Sequence, residues 1–195
     1  MIFHEFFKKT KEVFHMGTKY KFEEHLGGLH GEVWIYLRDA RTGNLIQEYH
    51  SKNIIVNSAS VLIARLLKDN HEPDAGISYL AVGTGGIGWD LQNPPAPSNI
   101  QTTLENEIAR KALTTEDVSF VDPDTGDHTT VPTNVVDYEI TYAETEAVGP
   151  IVEMGLFGGY ATDSPDSGTQ INYRIFPVIN KTASMTLSII IRITA

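Results

Sequence analysis

From Met185 to Thr194 the chain alternates Met185, Leu187, Ile189, Ile191 and Ile193 with Thr186, Ser188, Ile190, Arg192 and Thr194. Successive side chains of an extended strand point to opposite faces, so one face of this segment is wholly apolar. Such a face is buried within a sheet or becomes an aggregation hazard. The segment therefore demands a β-rich body around it, and the rest of the sequence supplies the other strands.

Val33 to Leu37 alternates around Trp34 and Tyr36, passes through Asp39-Ala40-Arg41-Thr42-Gly43-Asn44 and resumes as Leu45 to Val56. Asp early in the turn and Gly where a positive φ is needed predict a β-hairpin with a bulge. Asn57 and Ser58 suit the N-terminus of a helix over Ala59 to Lys68, with Val61, Leu62, Leu66 and Leu67 as its apolar stripe. After a loop containing Pro73 and Gly76, Ile77 to Val82 is a strand. Thr102 with Glu105 forms a capping-box pattern for a short helix reaching Arg110, which would set Leu104 and Ile108 on one face and let Arg110 pair with Glu107. Ala112 to Val121, Val131 to Tyr142, Ile151 to Phe157 and Gln170 to Val178 read as further strands, and Pro177 marks or borders an edge strand. Many strands separated by turn clusters, with one or two short helices, predict a mainly β protein, an antiparallel β-sandwich. The domain division is an N-terminal arm and connection over 1–30 and a β-sandwich-like body over 31–195.

In the arm, Phe3, Phe6, Phe7, Val13 and Phe14 recur near a 3.6-residue period among Lys8, Lys9, Lys11 and Glu12, which predicts a short amphipathic helix. Gly17, Gly27, Gly28 and Gly31 then form a pliant connection. Two placements are open to the arm: it caps the body's own core, or it docks onto another subunit. The glycine connection favours the second.

The formal net charge is −10, with ten Lys/Arg against eight Asp/Glu in residues 1–70 and five against seventeen in residues 71–195. An acidic body repels a phosphate backbone, so no direct nucleic-acid contact is expected. With no cysteine, disulfides, thiolate metal sites and cysteine nucleophiles are excluded. No apolar run approaches the ~18 residues of a membrane helix, and the first residues lack a signal-peptide pattern. A soluble protein without membrane insertion, assembled in a cytoplasm, is the expectation.

Several motifs invite chemical readings. Gly83-x-Gly85-x-x-Gly88 has the spacing of a dinucleotide fingerprint, but Trp89, Asp90, Pro94, Pro95 and Pro97 stand where a phosphate-binding helix would start, so it reads as a glycine-rich loop. Asp122-Pro123-Asp124-Thr125-Gly126-Asp127 resembles a calcium loop in its alternating carboxylates, yet Thr133 stands where the bidentate Glu would be, and a hairpin turn is the simpler reading. The seven histidines form no HxH, HxxxH or HExxH pattern and read as isolated surface residues. Glu105 with Glu107, and Glu144 with Glu146, read as solvated charge rather than an acid–base pair. With no G-x-S-x-G elbow either, no catalytic residue, metal site or cofactor is expected, and the chain is read as a non-enzyme.

Five blocks carry a resemblance: Lys52-Asn53-Ile54-Ile55-Val56-Asn57, Ile77-Ser78-Tyr79-Leu80-Ala81-Val82-Gly83-Thr84-Gly85, Leu104-Glu105-Asn106-Glu107-Ile108-Ala109-Arg110, Glu153-Met154-Gly155-Leu156-Phe157 and Arg174-Ile175-Phe176-Pro177-Val178-Ile179-Asn180-Lys181-Thr182. In this order they resemble structural proteins of the tail, baseplate or neck region of tailed bacteriophages. The resemblance implies a virion protein, assembled in the host cytoplasm, that acts through contacts with other virion proteins as a homo-oligomer. Partner contacts are expected from Phe3, Phe6, Phe7, Phe14 and Trp89. The alternative is a carbohydrate-binding β-sandwich at a receptor-binding tip, with Trp34, Trp89 and Tyr79 as sugar platforms.

Overall fold

The computed structural model describes residues 28–68 and 76–195. The expected arm helix and its Phe3, Phe6, Phe7 and Phe14 lie outside the described residues, as does most of the loop containing Pro73.

The chain is mainly β. β1 (His30–Asp39) and β2 (Leu45–Ile55) form the predicted hairpin, with a register irregularity between Leu37 and Arg38. Its turn closes through Asp39, whose amide donates to Asn44 O (2.9 Å) and whose carbonyl accepts from Gly43 N (2.9 Å), with Gly43 at φ 73°. A Thr42 hydroxyl and amide on the Asp39 carboxylate hold its pKa below the ordinary value. The helix α1 (Asn57–Lys68) comes next. Then come β3 (Ile77–Gly83), β4 (Glu107–Ala112), β5 (Val118–Val121), β6 (His128–Thr129), β7 (Val135–Tyr142), β8 (Gly149–Gly158), β9 (Thr169–Gln170), β10 (Asn172–Lys181) and β11 (Met185–Thr194).

Every ladder is antiparallel, in the order β4-β3-β8-β10-β2-β1-β11-β7-β5-β6, with β9 on β8. The β2–β10 ladder has only the pairs Ile54–Tyr173 and Ile55–Asn172. At this narrow joint one continuous sheet folds over itself into two facing layers. Val33, Ile35, Leu37, Ile140, Leu187, Ile189 and Ile191 from one layer share a single buried cluster with Leu80, Val82, Met154, Leu156, Phe176 and Ile179 from the other. The Tyr142 hydroxyl crosses the layers to donate to Leu80 O (2.7 Å).

β11 lies between β1 and β7, paired with β1 from Met185 to Thr194 and with β7 from Leu187 to Thr194. Ile189 sits directly between Ile35 and Ile140, so the alternation from Met185 to Thr194 puts Leu187, Ile189, Ile191 and Ile193 on the inner face. β8 differs: residues 151 to 158 are buried on both faces, which requires a second cover over the outer side of its layer.

Four expectations need correction. The segment from Thr102 to Arg110 is not a helix; it is a loop leading into β4, which pairs Ala81 with Arg110 and Val82 with Ala109. Nine residues are too few for a self-sustaining helix, and the free edge of β3 captures them. Leu104 is buried while Ile108 is exposed, opposite to a shared helical face. The Ala112–Val121 segment is broken by a 3₁₀ turn at Thr115–Asp117, where the Asp117 carboxylate accepts from both the amide and the hydroxyl of Thr114 (2.6 Å each). Pro177 lies not at an edge but in β10, at the irregularity between Ile175 and Ile179, where a missing N–H costs no ladder bond. Of the expected α1 stripe Leu62 enters the core, beside Ala59, whereas Val61 (59% exposed) and Leu66 (42%) do not, and the Leu67 side chain lies outside the described ones.

Replacing Ile189 with Asp should abolish the cooperative melt, because an unpaired carboxylate between Ile35 and Ile140 costs several kcal/mol of a stability of about 5–15 kcal/mol. Ser188→Asp, one step along and on the outer face beside Thr141, should shift the melt only slightly. Equal melting of the two variants would refute this register.

Candidate functional site

Between β3 and β4 the chain makes a long excursion, residues 84 to 106, that contains the glycine motif and the three prolines and lies over the outer side of the second layer. Beneath it Val56, Ala81, Leu104, Phe157, Tyr173 and Ile175 form a second buried cluster, with Tyr79 and Trp89 packed against it. This is the cover that β8 requires. All five sequence blocks of the resemblance meet at this cluster or at the base of the loop.

The base is locked by Glu153, a fully buried carboxylate in the otherwise apolar run of β8. It accepts hydrogen bonds from Gly85 N (3.0 Å), Glu105 N (3.0 Å), Asn106 N (2.9 Å) and the Tyr173 hydroxyl (2.7 Å). A buried carboxylate without such donors would be prohibitively costly; three backbone amides and a phenol replace its water. Burial, and then the bond to Glu153, push the Tyr173 phenol far above its usual pKa and keep it a donor. Glu153 thereby occupies the N–H of Glu105, which a capping box would give to the Thr102 hydroxyl, and the N–H of Asn106, which would make the first bond within such a helix.

The glycine motif serves close approach. A Cβ on Gly83 would collide with the Glu153 side chain and with Asn106 O, and one on Gly85 (φ 78°) would lie 2.6 Å from the Trp89 ring and 2.7 Å from Val152. The indole of Trp89 thus lies across Gly85 and Gly86, half-buried, as the inner lid of the loop. Gly85 spends its N–H on Glu153, pointing inward rather than toward a phosphate. Further along, Leu91 O accepts from Val178 N (3.0 Å) at the β10 irregularity, and Asn99 O accepts from Asn57 N (2.8 Å) at the start of α1. Asp90 accepts from Gln92 N and Asn93 Nδ2, which lower its pKa in that order and close a local turn. On this anchored loop Ile87 is fully exposed and Ile100 is 74% exposed.

A second clamp stands beside the first. Arg110 and Glu107, side chains 3% and 2% exposed, form a two-pronged ion pair (2.6 and 2.7 Å). The sequence places this pair on a helix, whereas it forms along β4. The guanidinium also donates to Thr162 O and Ser167 Oγ and lies over the Phe157 and Tyr79 rings, fastening the loop after β8. Glu107 is therefore not solvated charge. Glu146 bonds Ala143 N and Lys111 Nζ, which lower its pKa in that order.

Asp122 to Asp127 is the β5–β6 hairpin turn, closed by Asp122 N to Asp127 O (2.9 Å), with Gly126 at φ 79° and the Asp122 carboxylate turned onto Asp124 N (2.8 Å). Two histidines are not isolated: His50 stacks on Trp34 (4.7 Å between centroids, 8° between planes), and His128 lies 3.3 Å from Asp137. Asp137, buried, also takes a two-pronged bond from Arg192 (2.8 Å each), which raises the Arg192 pKa. Arg192 in turn covers Trp34 from the β11 side (5.4 Å) while His50 covers it from the β2 side. A sugar platform needs an open ring face, and on Trp34 a sugar would compete with His50 and Arg192 for the ring.

The profile of the family described as baseplate wedge 3 tail fiber network component matches residues 53–150, half of the chain. The chain belongs to that family. It is a structural protein of the phage baseplate and so a part of the virion. The match begins at the end of β2, takes in α1 and the whole 84–106 loop, and ends at the start of β8, three residues before Glu153. No curated protein matches the chain.

Sequence reasoning missed Glu153, Ile87 and Ile100. For Glu153 a signal was present, a lone carboxylate inside the apolar run Ile151 to Phe157. Replacing Glu153 with Gln puts an NH2 group where one carboxylate oxygen accepts from two donors and should cost about 2–4 kcal/mol in a urea melt. Tyr173→Phe, which removes one donor of four, should cost about 1 kcal/mol. A Glu153→Gln protein as stable as the parent would show that the carboxylate does not hold the loop.

Proposed function

We propose that this baseplate protein works as a rigid joint, with the 84–106 loop as the surface that engages neighbouring virion proteins. The carrying observation is the fully exposed Ile87, raised on a loop whose base is bound at Glu153, Val178 and Asn57. Exposed large aliphatic side chains on a fixed scaffold are the raw material of a contact: little conformational entropy is lost when they are covered. Ile100 extends the same loop's apolar surface. Trp89, expected as a contact in its own right, packs mostly within its own chain; its part in this reading is to hold the backbone beneath Ile87, and its exposed rim borders the surface.

The chemistry of the site supports a structural rather than a catalytic role. Its strongest charges, Glu153, Glu107 and Arg110, are spent on holding backbone and each other, not aimed at a cleft. That use suits a part whose task is to keep a shape under load.

An Ile87→Asp, Ile100→Asp double variant should melt within about 0.5 kcal/mol of the parent, since both side chains already face solvent. In an extract lacking the parent protein it should fail to restore baseplate assembly. Restoration equal to that of the parent would overturn the loop as the contact surface.

A further inference from the structure

A cavity of about 310 Å³ opens at the end of the sandwich where β11 finishes and β7 begins. It is walled by Leu62, Ile63 and Leu66 of α1 and by Val136, Tyr138 and Ile193 of the first layer, an almost wholly apolar lining. Among the described side chains of α1, Ala59 and Leu62 reach the core, while Ile63 is 38% and Leu66 42% exposed at the cavity's rim. A helix with one stripe buried and a second apolar stripe open is missing a neighbour.

We propose that the missing neighbour is this chain's own arm, residues 3–14, seated between α1 and the mouth of the sandwich with about two of its phenylalanines in the cavity. Leu29, the second described residue, itself lines the cavity, so the chain enters the body at the rim of the site. Leu29 and Gly76, which follow residues 1–27 and 69–75 in the sequence, both line the cavity. Residues 69–75, Asp69-Asn70-His71-Glu72-Pro73-Asp74-Ala75, are too polar to fill it. Residues 1–27 carry Phe3, Phe6, Phe7, Val13 and Phe14. The size fits: a cavity of roughly 150 Å³ holds one benzene ring, so this one accepts about two phenyl side chains. The tether also fits. The short stretch of sequence between Phe14 and Leu29, which carries Gly17, Gly27 and Gly28, would keep the arm near the groove at an effective concentration on the order of millimolar, which a separate molecule must exceed to displace it. Of the two placements open to the arm, this is the cap on its own body.

The absence of cysteine makes the test clean. Full-length chains carry Leu66→Cys together with Phe3→Cys, Phe6→Cys, Phe7→Cys or Phe14→Cys, and a control pairs each arm position with Ser188→Cys on the outer face. Under mild oxidation at least one Leu66 pair should close to a disulfide-linked monomer about tenfold faster than its Ser188 control. Rates equal to the controls throughout would overturn the proposal, and disulfide-linked dimers as the main product would give the groove to a second copy's arm instead. In a separate Ile63→Asp, Leu66→Asp variant, tryptic cleavage after Lys8, Lys9 and Lys11 should accelerate about tenfold while the body's circular dichroism is kept; an unchanged rate would count against arm docking. Ile87→Asp should leave the disulfide rates untouched, so failure of the loop reading and failure of this one are separable.

Discussion

A single carboxylate decides the shape of the second layer. Glu153 lies fully buried at the centre of β8, and folding must bring Gly85, Glu105, Asn106 and Tyr173 to it together or bury a bare charge. Those donors come from the two ends of the 84–106 excursion and from β10. Satisfying one side chain therefore closes a loop of more than twenty residues, brings Leu104 onto Phe157 and Tyr173, and covers the outer face of β8. An apolar residue at 153 would offer no reason for the loop to return. The direction of specification matters here, because a hydrophobic cover alone tolerates sliding whereas three amides on one carboxylate admit a single register.

Legibility in the sequence extends to whatever depends on local period. The β11 alternation, the β1–β2 hairpin with Gly43 at positive φ and the Asp122–Asp127 turn appear as read, since each is decided by neighbours within a few residues; α1 forms too, but from Asn57, which lies inside the helix rather than capping it. The failures occur where a distant group overrides a local preference. Thr102 to Arg110 carries good helix signals, but Glu153, far along the chain, takes the amides that would begin the helix, and β3 takes the rest. The α1 stripe departs from its expected residues for a related reason: apolar spacing says that a helix has an apolar side, not which part of that side its own domain covers. His50 and His128 look isolated in the sequence because cross-strand neighbours are invisible without the register. Pro177 looks like an edge residue because the irregularity that admits it, where β10 runs from Ile175 to Ile179 while β8 runs only from Glu153 to Ile151, is invisible until the two strands are paired.

The candidate site is legible only in part. Trp89, Asp90 and the three prolines, standing where a phosphate-binding helix would begin, are enough to separate the glycine motif from a phosphate loop. The use of those glycines, making room for the Trp89 ring and for Glu153, needs three-dimensional contact. Ile87 and Ile100 are ordinary in sequence, single aliphatic residues in a polar loop. They become informative once the loop is known to be fixed, because exposure on a mobile loop says little while exposure on a pinned one is a standing cost that a partner can relieve.

The two layers thus divide their labour. The outer face of the first is closed on itself: Trp34 is held between His50 and Arg192, and Arg192 and His128 are both held by the buried Asp137, so this face offers little unsatisfied surface. The second layer directs its buried charges, Glu153 and the Glu107–Arg110 pair, to its loops, and the exposed apolar side chains Ile87 and Ile100 stand there. Desolvating charge to fix a loop contributes little net stability compared with apolar packing of the same volume. It contributes a defined loop geometry, and for a baseplate part that geometry is what a neighbour reads.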